Sequence, residues 1–439
     1  MKIKYHKLYK SSDFEWLGDI PEHWKTKRLK DIAKIIDCKN RTPEYFDDGE
    51  YLVIRTSNVR DGRINLDNPS FTNESNFLEW TKRGVPPLGS ILFTREAPAG
   101  EVCLVPSEYK SCLGQRMMNF IPNKNDYSIY LLYYFLSCRT KCYLGSITSG
   151  STVHHLRIPQ VFDIPVIVPP LLEQKTIAHY LDTKTAQIDR KIDLLTQKAT
   201  LYSNLKQSLI NETVTRGLDK TVPMKDSGID AIDEVPEHWE VRRIKEIAYI
   251  NKRTLTEKTP NDYEFDYIDI GSITYGIKGF SSERMTFEDA PSRAKRIVKK
   301  GDTIISTVRT YLKAIASIEN DVSDLIVSTG FAVISPKKLL FSKYFSYLLT
   351  SNFVVDTICA LSIGVSYPAT NSSVIRNLLC LVPPPSEQKA IADYLDTKTA
   401  QIDQIIQTIN TQIEKLKELR KTLINDVVTG KIKVVENEH

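Results

Sequence analysis

The sequence predicts an α+β protein: two mixed α/β domains separated by two long antiparallel helices that form a coiled-coil spacer, as a pseudo-two-fold internal repeat. Three observations predict it. Glu173 to Asp189 reads EQKTIAHYLDTKTAQID and Glu387 to Asp403 reads EQKAIADYLDTKTAQID, identical at fifteen of seventeen positions with a constant offset of 214 residues. Pro21-Glu22-His23-Trp24 recurs as Pro236-Glu237-His238-Trp239, and Arg28, Ile32, Ala33 and Ile35 recur as Arg243, Ile247, Ala248 and Ile250. Between these landmarks the copies disagree almost everywhere, the pattern of one repeated frame carrying two unlike inserts.

At 439 residues the chain exceeds one hydrophobic core, and the repeat divides it into halves of ordinary domain size. Lys plus Arg number 59 against 54 Asp plus Glu, a formal charge of +5 that permits nucleic-acid binding without requiring it. No apolar run approaches the roughly 20 residues that cross a bilayer, and the N-terminus, with Lys2, Lys4, Lys7 and Lys10, lacks the apolar stretch of a signal peptide. A cytoplasmic protein without membrane partners is expected. Seven cysteines at irregular spacing predict reduced thiols. Cys138 and Cys142 stand one helical turn apart near His154 and His155, but the second half has no equivalent and paired Cys-x-x-Cys spacing is absent, so no metal is expected.

In chain order, each half has a polar lead, a long strand-rich region, a proline stop and a long helix. Strands are predicted at Tyr51 to Arg55 and Gly89 to Arg95, answered by Tyr267 to Ile270 and Gly301 to Thr307. Tyr127 to Arg139 and Phe341 to Phe353 read as apolar, aromatic helices in corresponding places. Pro169-Pro170 and Pro383-Pro384-Pro385 end the preceding strands, and Glu173 or Glu387 follows in a first helical turn, where its charge suits the helix dipole.

From Ile177 the apolar positions run Leu181, Ile188, Ile192, Leu195, Tyr202, Leu205 and Leu209. From Ile391 they run Leu395, Ile402, Ile406, Ile409, Ile413, Leu416, Leu419, Leu423 and Val427. These spacings make amphipathic helices with one narrow seam, uninterrupted by Gly or Pro. The 38 residues from Ile177 to Val214 span roughly 57 Å at about 1.5 Å per residue. A lone helix of that length needs a partner, and the partner at hand is its copy. The first helix leaves domain one for domain two and the second leaves domain two, so a packed pair runs antiparallel, ending at Gly217 and Gly430 where a C-terminal cap favours glycine. The tail then falls beside the start of domain one.

The order of PEHW lead, variable region and the segment IPVIVPPLLEQKTIAHYLDTKTAQID, then the same again ending LVPPPSEQKAIADYLDTKTAQID, resembles the specificity subunit of a type I restriction-modification system. The likeness covers essentially the whole chain and extends to YLVIRTSNVRDG at Tyr51 to Gly62, FTREAPAG at Phe93 to Gly100, and Gly150 to Leu156 (GSTVHHL). Domain two has instead Gly364 to Thr370 (GVSYPAT) at the last position. The resemblance implies target-recognition domain 1 at 1–170, a spacer helix at 171–216, a linker and target-recognition domain 2 at 217–384, a second spacer helix at 385–430 and a tail at 431–439. It implies a non-catalytic subunit that reads a bipartite, asymmetric double-stranded DNA site, one half per domain, the helix pair acting as a ruler for half-sites about one 34 Å turn or somewhat more apart. It further implies methyltransferase subunits and restriction/translocase subunits as partners. S-adenosylmethionine and ATP are expected on those partners and no cofactor on this chain.

Such reading needs positive and hydrogen-bonding side chains on loops, phosphate contacts giving affinity and base-edge contacts giving sequence choice. Candidates in domain one are Arg55, Asn58, Arg60, Arg63, Arg95, Gln115, Arg116, His154 and His155. Domain two offers Arg253, Lys278, Arg293, Lys295, Arg296, Arg309, Tyr311, Lys313, Tyr367 and Asn371. Arg95 and Arg309 stand out as equivalent strand ends, and Arg293, Lys295 and Arg296 as a basic cluster suited to phosphate. A coiled-coil scaffold joining two protein-binding domains accounts for the helices equally well but not for the paired basic loops. A stand-alone enzyme has no visible seat: Asn68-Pro69-Ser70-Phe71 falls short of an adenine methyltransferase motif and reads as a turn, and no GxxxxGK[ST] or HExxH occurs. His23 and His238 beside Trp24 and Trp239 read as packing where helix meets domain.

Overall fold

A computed structural model describes residues 5–123, 127–148, 155–273 and 280–434. The chain forms two compact units, one of residues 1–195 with 411–439 and one of residues 196–410. The first unit holds a four-stranded antiparallel sheet in the order Val102–Leu104, Ile91–Thr94, Met117–Pro122, Ala33–Asp37. Beside it Ser111–Leu113 pairs in parallel with Tyr51–Ile54, and Lys25–Arg28 pairs antiparallel with Pro165–Val168. The second unit repeats this plan: Ile315–Ser317, Thr303–Ser306, Phe331–Pro336 and Ala248–Ile250 form the antiparallel sheet. Leu325–Ser328 runs parallel to Glu264–Ile268, and Glu240–Arg243 pairs with Leu379–Val382.

The expected apolar helices are each broken in two. Tyr127–Leu136 is followed by Cys138–Ile147, and Ser342–Leu349 by Asn352–Ala360. The break falls at the buried Ser137 and Ser351, both extended in backbone; the Ser137 hydroxyl accepts the amide of Thr140 and starts a new helix. Cys138 and Cys142 are exposed, unpaired thiols on this helix.

The long helices are Leu171–Arg216 and Pro385–Val428, with Gly217 and Gly430 in left-handed conformations (φ 72° and 76°) beyond them. In the first unit Asp189 pairs with Arg420 at 2.9 Å, while Ile177 and Leu181, earlier on one helix, share a core with Ile424, Val427 and Val428, later on the other. Their directions are therefore opposite. In the second unit Lys206 pairs with Asp403 at 2.6 Å, and Ile210 and Val214 share a core with Ile391, Ala392 and Leu395, again antiparallel. After Gly430 the chain lies against the start of the first unit, where Tyr9 donates a hydrogen bond to the Gly430 carbonyl.

The seam departs from expectation at one level: Leu205 and its repeat counterpart Leu419 are each 53% exposed. Lys206 and Arg420 turn inward in their place and form the ion pairs just described. A 3.6-residue period drifts from a strict heptad, and the neighbouring cation supplies a reach that Leu lacks.

The duplicated block is explained by what its residues hold. Trp24 Nε1 donates to Glu173 Oε2 at 3.0 Å, and Trp239 does the same to Glu387. Gln174 and Gln388 donate to the carbonyls of Pro169 and Pro383. Tyr133 donates to Asp182 and meets Thr185; Tyr347 makes the same pair of contacts with Asp396 and Thr399, at matching distances. Burial pushes both phenols well above their ordinary pKa, so they stay protonated donors. Four of the fifteen identical positions, Glu173, Gln174, Asp182 and Thr185, are thus one set of fasteners built twice.

Candidate nucleic-acid interface

In each unit three connections converge at one end of the antiparallel sheet. In the first unit Arg95, after the strand Ile91–Thr94, receives its backbone bonds from this convergence: its amide donates to the Arg116 carbonyl and its carbonyl accepts from the amide of Leu156. Gly114 donates to the Ile54 carbonyl, which brings Arg55 beside Gln115. Glu96 bridges to His155 in backbone and to Arg116 in side chain, Nε to Oε2 at 2.8 Å. Arg55, Arg95, Gln115, Arg116 and His155 are thus brought together. Thr42, which sequence reasoning missed, joins them with its hydroxyl 3.5 Å from Gln115.

The second unit gathers different side chains on the same backbone. Thr307 donates to Gly330, Thr370 donates to Thr307, and Thr329 donates to Arg293. Arg309 sits in a left-handed conformation (φ 50°) with its guanidinium 4.9 Å from the Tyr367 ring centre. Tyr367 belongs to a tight hairpin closed by paired backbone bonds between Ile363 and Ala369, whose tip residue Val365 is fully exposed and Ile363 nearly so. Arg293 reaches Asp269 at 3.1 Å, its guanidinium held charged by bonds to Tyr267 and by that carboxylate. Arg293, Arg309 and Tyr367 form this end, with Tyr311 exposed nearby.

The expected equivalence of Arg95 and Arg309 is not what the backbone shows. The same ladder and loop bonds place Thr307 opposite Arg95, and Ala97, also left-handed at φ 53°, opposite Arg309. Arg95 is 6% exposed and lies 3.3 Å from the Asp37 carboxylate, while Arg309 is exposed. Burial drives the Asp37 carboxyl upward and the neighbouring Arg95 and Arg83 pull it back. Nε and Nη2 of Arg95 are buried without a hydrogen bond, so charge rather than bonding geometry holds the pair.

The run Arg293, Lys295, Arg296 is likewise divided. Lys295 lies 4.3 Å over the Phe287 ring, and Arg296 turns to Thr254 with a buried, unbonded Nε, the strand register slipping between Ala294 and Arg296. Other candidates serve the scaffold. Buried Asn58 accepts the Arg55 amide and donates to Asn65, and Asn371 caps the helix Ser372–Asn377. Arg55 donates to the Asn68 carbonyl at 2.8 Å, so the Asn-Pro-Ser-Phe tetrapeptide, a bend at Asn68 leading into the strand Phe71–Thr72, anchors an arginine. Arg253 pairs with buried Asp302 and Lys313 with Asp356. Arg60 is exposed on a short hairpin whose other strand carries Arg63, and Arg63 reaches Asp189 of the first long helix at 2.7 Å. His154 and Lys278 lie outside the described residues.

Both units therefore carry a loop-lined, cation-bearing sheet end, and one family model matches the chain twice. Residues 21–199 and 236–415 match the type I restriction modification DNA specificity domain. The chain belongs to that family. Among its relatives, the type I restriction enzyme MjaVIII specificity subunit of Methanocaldococcus jannaschii is 25% identical over 446 aligned positions, covering 97% of each chain. The EcoBI specificity subunit of Escherichia coli is 24% identical, covering 73% of this chain and 69% of its own. A solved chain from a study of complex assembly and conformational transition of the type I R-M system superposes with a TM-score of 0.69 at 17% identity, covering 93% of this chain and 98% of that one. This specificity-domain protein thus shares the fold of that solved chain. Among the described residues no helix is long and apolar enough to cross a membrane.

Proposed function

We propose that this chain is the DNA-reading subunit of a type I restriction-modification complex, each unit reading one half of a bipartite, asymmetric double-stranded site. The observation that carries the reading is the pair of sheet ends: one backbone scaffold, built twice, presenting Arg55, Gln115, Arg116 and His155 in one copy and Arg293, Arg309 and Tyr367 in the other. Identical scaffolds with unlike side chains call for unlike half-sites. Several of these cations rest on carboxylates, Arg116 on Glu96 and Arg293 on Asp269. DNA phosphates replace such partners, releasing counterions and making affinity fall steeply with salt.

The 46-residue and 44-residue helices set the separation of the half-sites in this reading. Methylation and cleavage belong to partner subunits carrying S-adenosylmethionine and ATP, and this chain itself catalyses neither. Binding of the assembled complex to DNA tests the proposal: strong salt dependence with preference for a split site supports it, whereas binding indifferent to nucleic acid and salt favours a protein scaffold.

A further inference from the structure

We propose that the first unit carries a binding site for a borderline divalent transition ion, with zinc as its best probe, formed by His6, His23 and Glu173. A ring nitrogen of each histidine and a carboxylate oxygen of Glu173 lie within 4.8 Å of one another. His23 Nε2 already stands 2.7 Å from Glu173 Oε1, and Glu173 Oε2 is fixed by the Trp24 indole at 3.0 Å. His6 is 8% exposed, packs edge-on against Trp24 at 5.4 Å and faces His23 at 5.5 Å between ring centres. Two imidazoles and one carboxylate are a donor set that suits zinc, which keeps an open fourth position for water.

The second unit supplies an internal control. His238 Nε2 stands 2.7 Å from Glu387 Oε1, and Trp239 donates to Glu387 Oε2 at 3.0 Å, a copy of the same brace. Among the described residues no third ligand joins it. The brace itself is therefore structural in both copies, and His6 is what distinguishes the first. Ligands at about 2.0–2.1 Å from a tetrahedral ion stand roughly 3.3 Å apart. Seating the ion widens the His23–Glu173 pair slightly and draws the remaining atoms inward, a movement open to His23, whose side chain is 49% exposed. Metal here ties the N-terminal segment to the first turn of the long helix.

Isothermal titration of zinc into the metal-free, full-length chain at neutral pH tests the site. We expect one site per chain, a rise in melting temperature on zinc addition, loss of at least tenfold in affinity in His6→Gln and in His23→Gln, and no change in His238→Gln. Magnesium is expected to give no heat. Zinc affinity unchanged by His6→Gln, absence of binding, or binding abolished by Cys138→Ser instead, overturns the proposal. The exposed His23→Gln variant keeps the test decisive if His6→Gln folds poorly.

Discussion

Arg95 and Arg309 show how far a residue's role depends on two positions of backbone register. Both follow a buried strand, yet Arg95 is turned into the protein against Asp37 while Arg309 projects from a left-handed residue over Tyr367. We predict that Arg309→Ala weakens DNA binding by the assembled complex by about 1–3 kcal/mol and relaxes base preference only in the half-site read by the second unit, checked by filter binding against single-base variants. Arg95→Met should instead lower thermal stability by about 1–3 kcal/mol, since it removes one of the two cations, Arg95 and Arg83, that compensate the half-buried Asp37 carboxylate, and leave base preference unaltered in surviving complex. Sequence alone identifies both as arginines at strand ends. It does not reveal the displacement, because left-handed geometry at Ala97 and Arg309 is imposed by loop closure rather than by residue type. The divided run at Arg293 to Arg296 is the same lesson: nearness in sequence is not nearness on a strand.

At the scale of elements, the long helices and their block were legible because the residues that fasten them are identical in both copies. Tyr133 and Tyr347 make one set of contacts twice, so Tyr133→Phe and Tyr347→Phe should each cost about 0.5–1.5 kcal/mol, and by nearly equal amounts, in urea unfolding of the unit concerned. The helix ends differ more. A Cβ at Gly430 meets the Pro21 ring and the Trp24 indole, whereas one at Gly217 meets only the edge of Trp239 at 3.1 Å. Both positions carry the left-handed penalty of roughly 1–2 kcal/mol, so Gly430→Ala should destabilise more than Gly217→Ala, read as the difference in melting temperature. Periodicity did not disclose that Leu205 and Leu419 face solvent, since a heptad template assigns them to the seam, and the drift of the helix hands those places to Lys206 and Arg420. The serine breaks at 137 and 351 were hidden for a related reason: the Ser137 hydroxyl that caps a new helix, and the Ser351 hydroxyl that donates back to the Leu348 carbonyl, are indistinguishable in sequence from serines riding on an apolar helix.

For the molecule as a whole, the repeat makes the architecture readable and the inserts make the specificity unreadable. Two copies of one frame imply two readers, but which base each side chain meets depends on loops whose sequences share nothing to compare. If the helices set the spacing, inserting seven residues into each at matched positions lengthens the pair by about 10 Å, roughly three base pairs at about 3.4 Å each. The gap in the recognised site should grow accordingly while both half-site sequences stay the same. The central claim, one unlike half-site per unit, is tested most directly by mapping methylated bases in DNA exposed to the complete system, with this chain and with a chain whose residues 1–170 come from a relative. The account predicts two unlike blocks at a fixed gap, only one of which changes on the exchange. A single uninterrupted motif, or alteration of both blocks together, contradicts it.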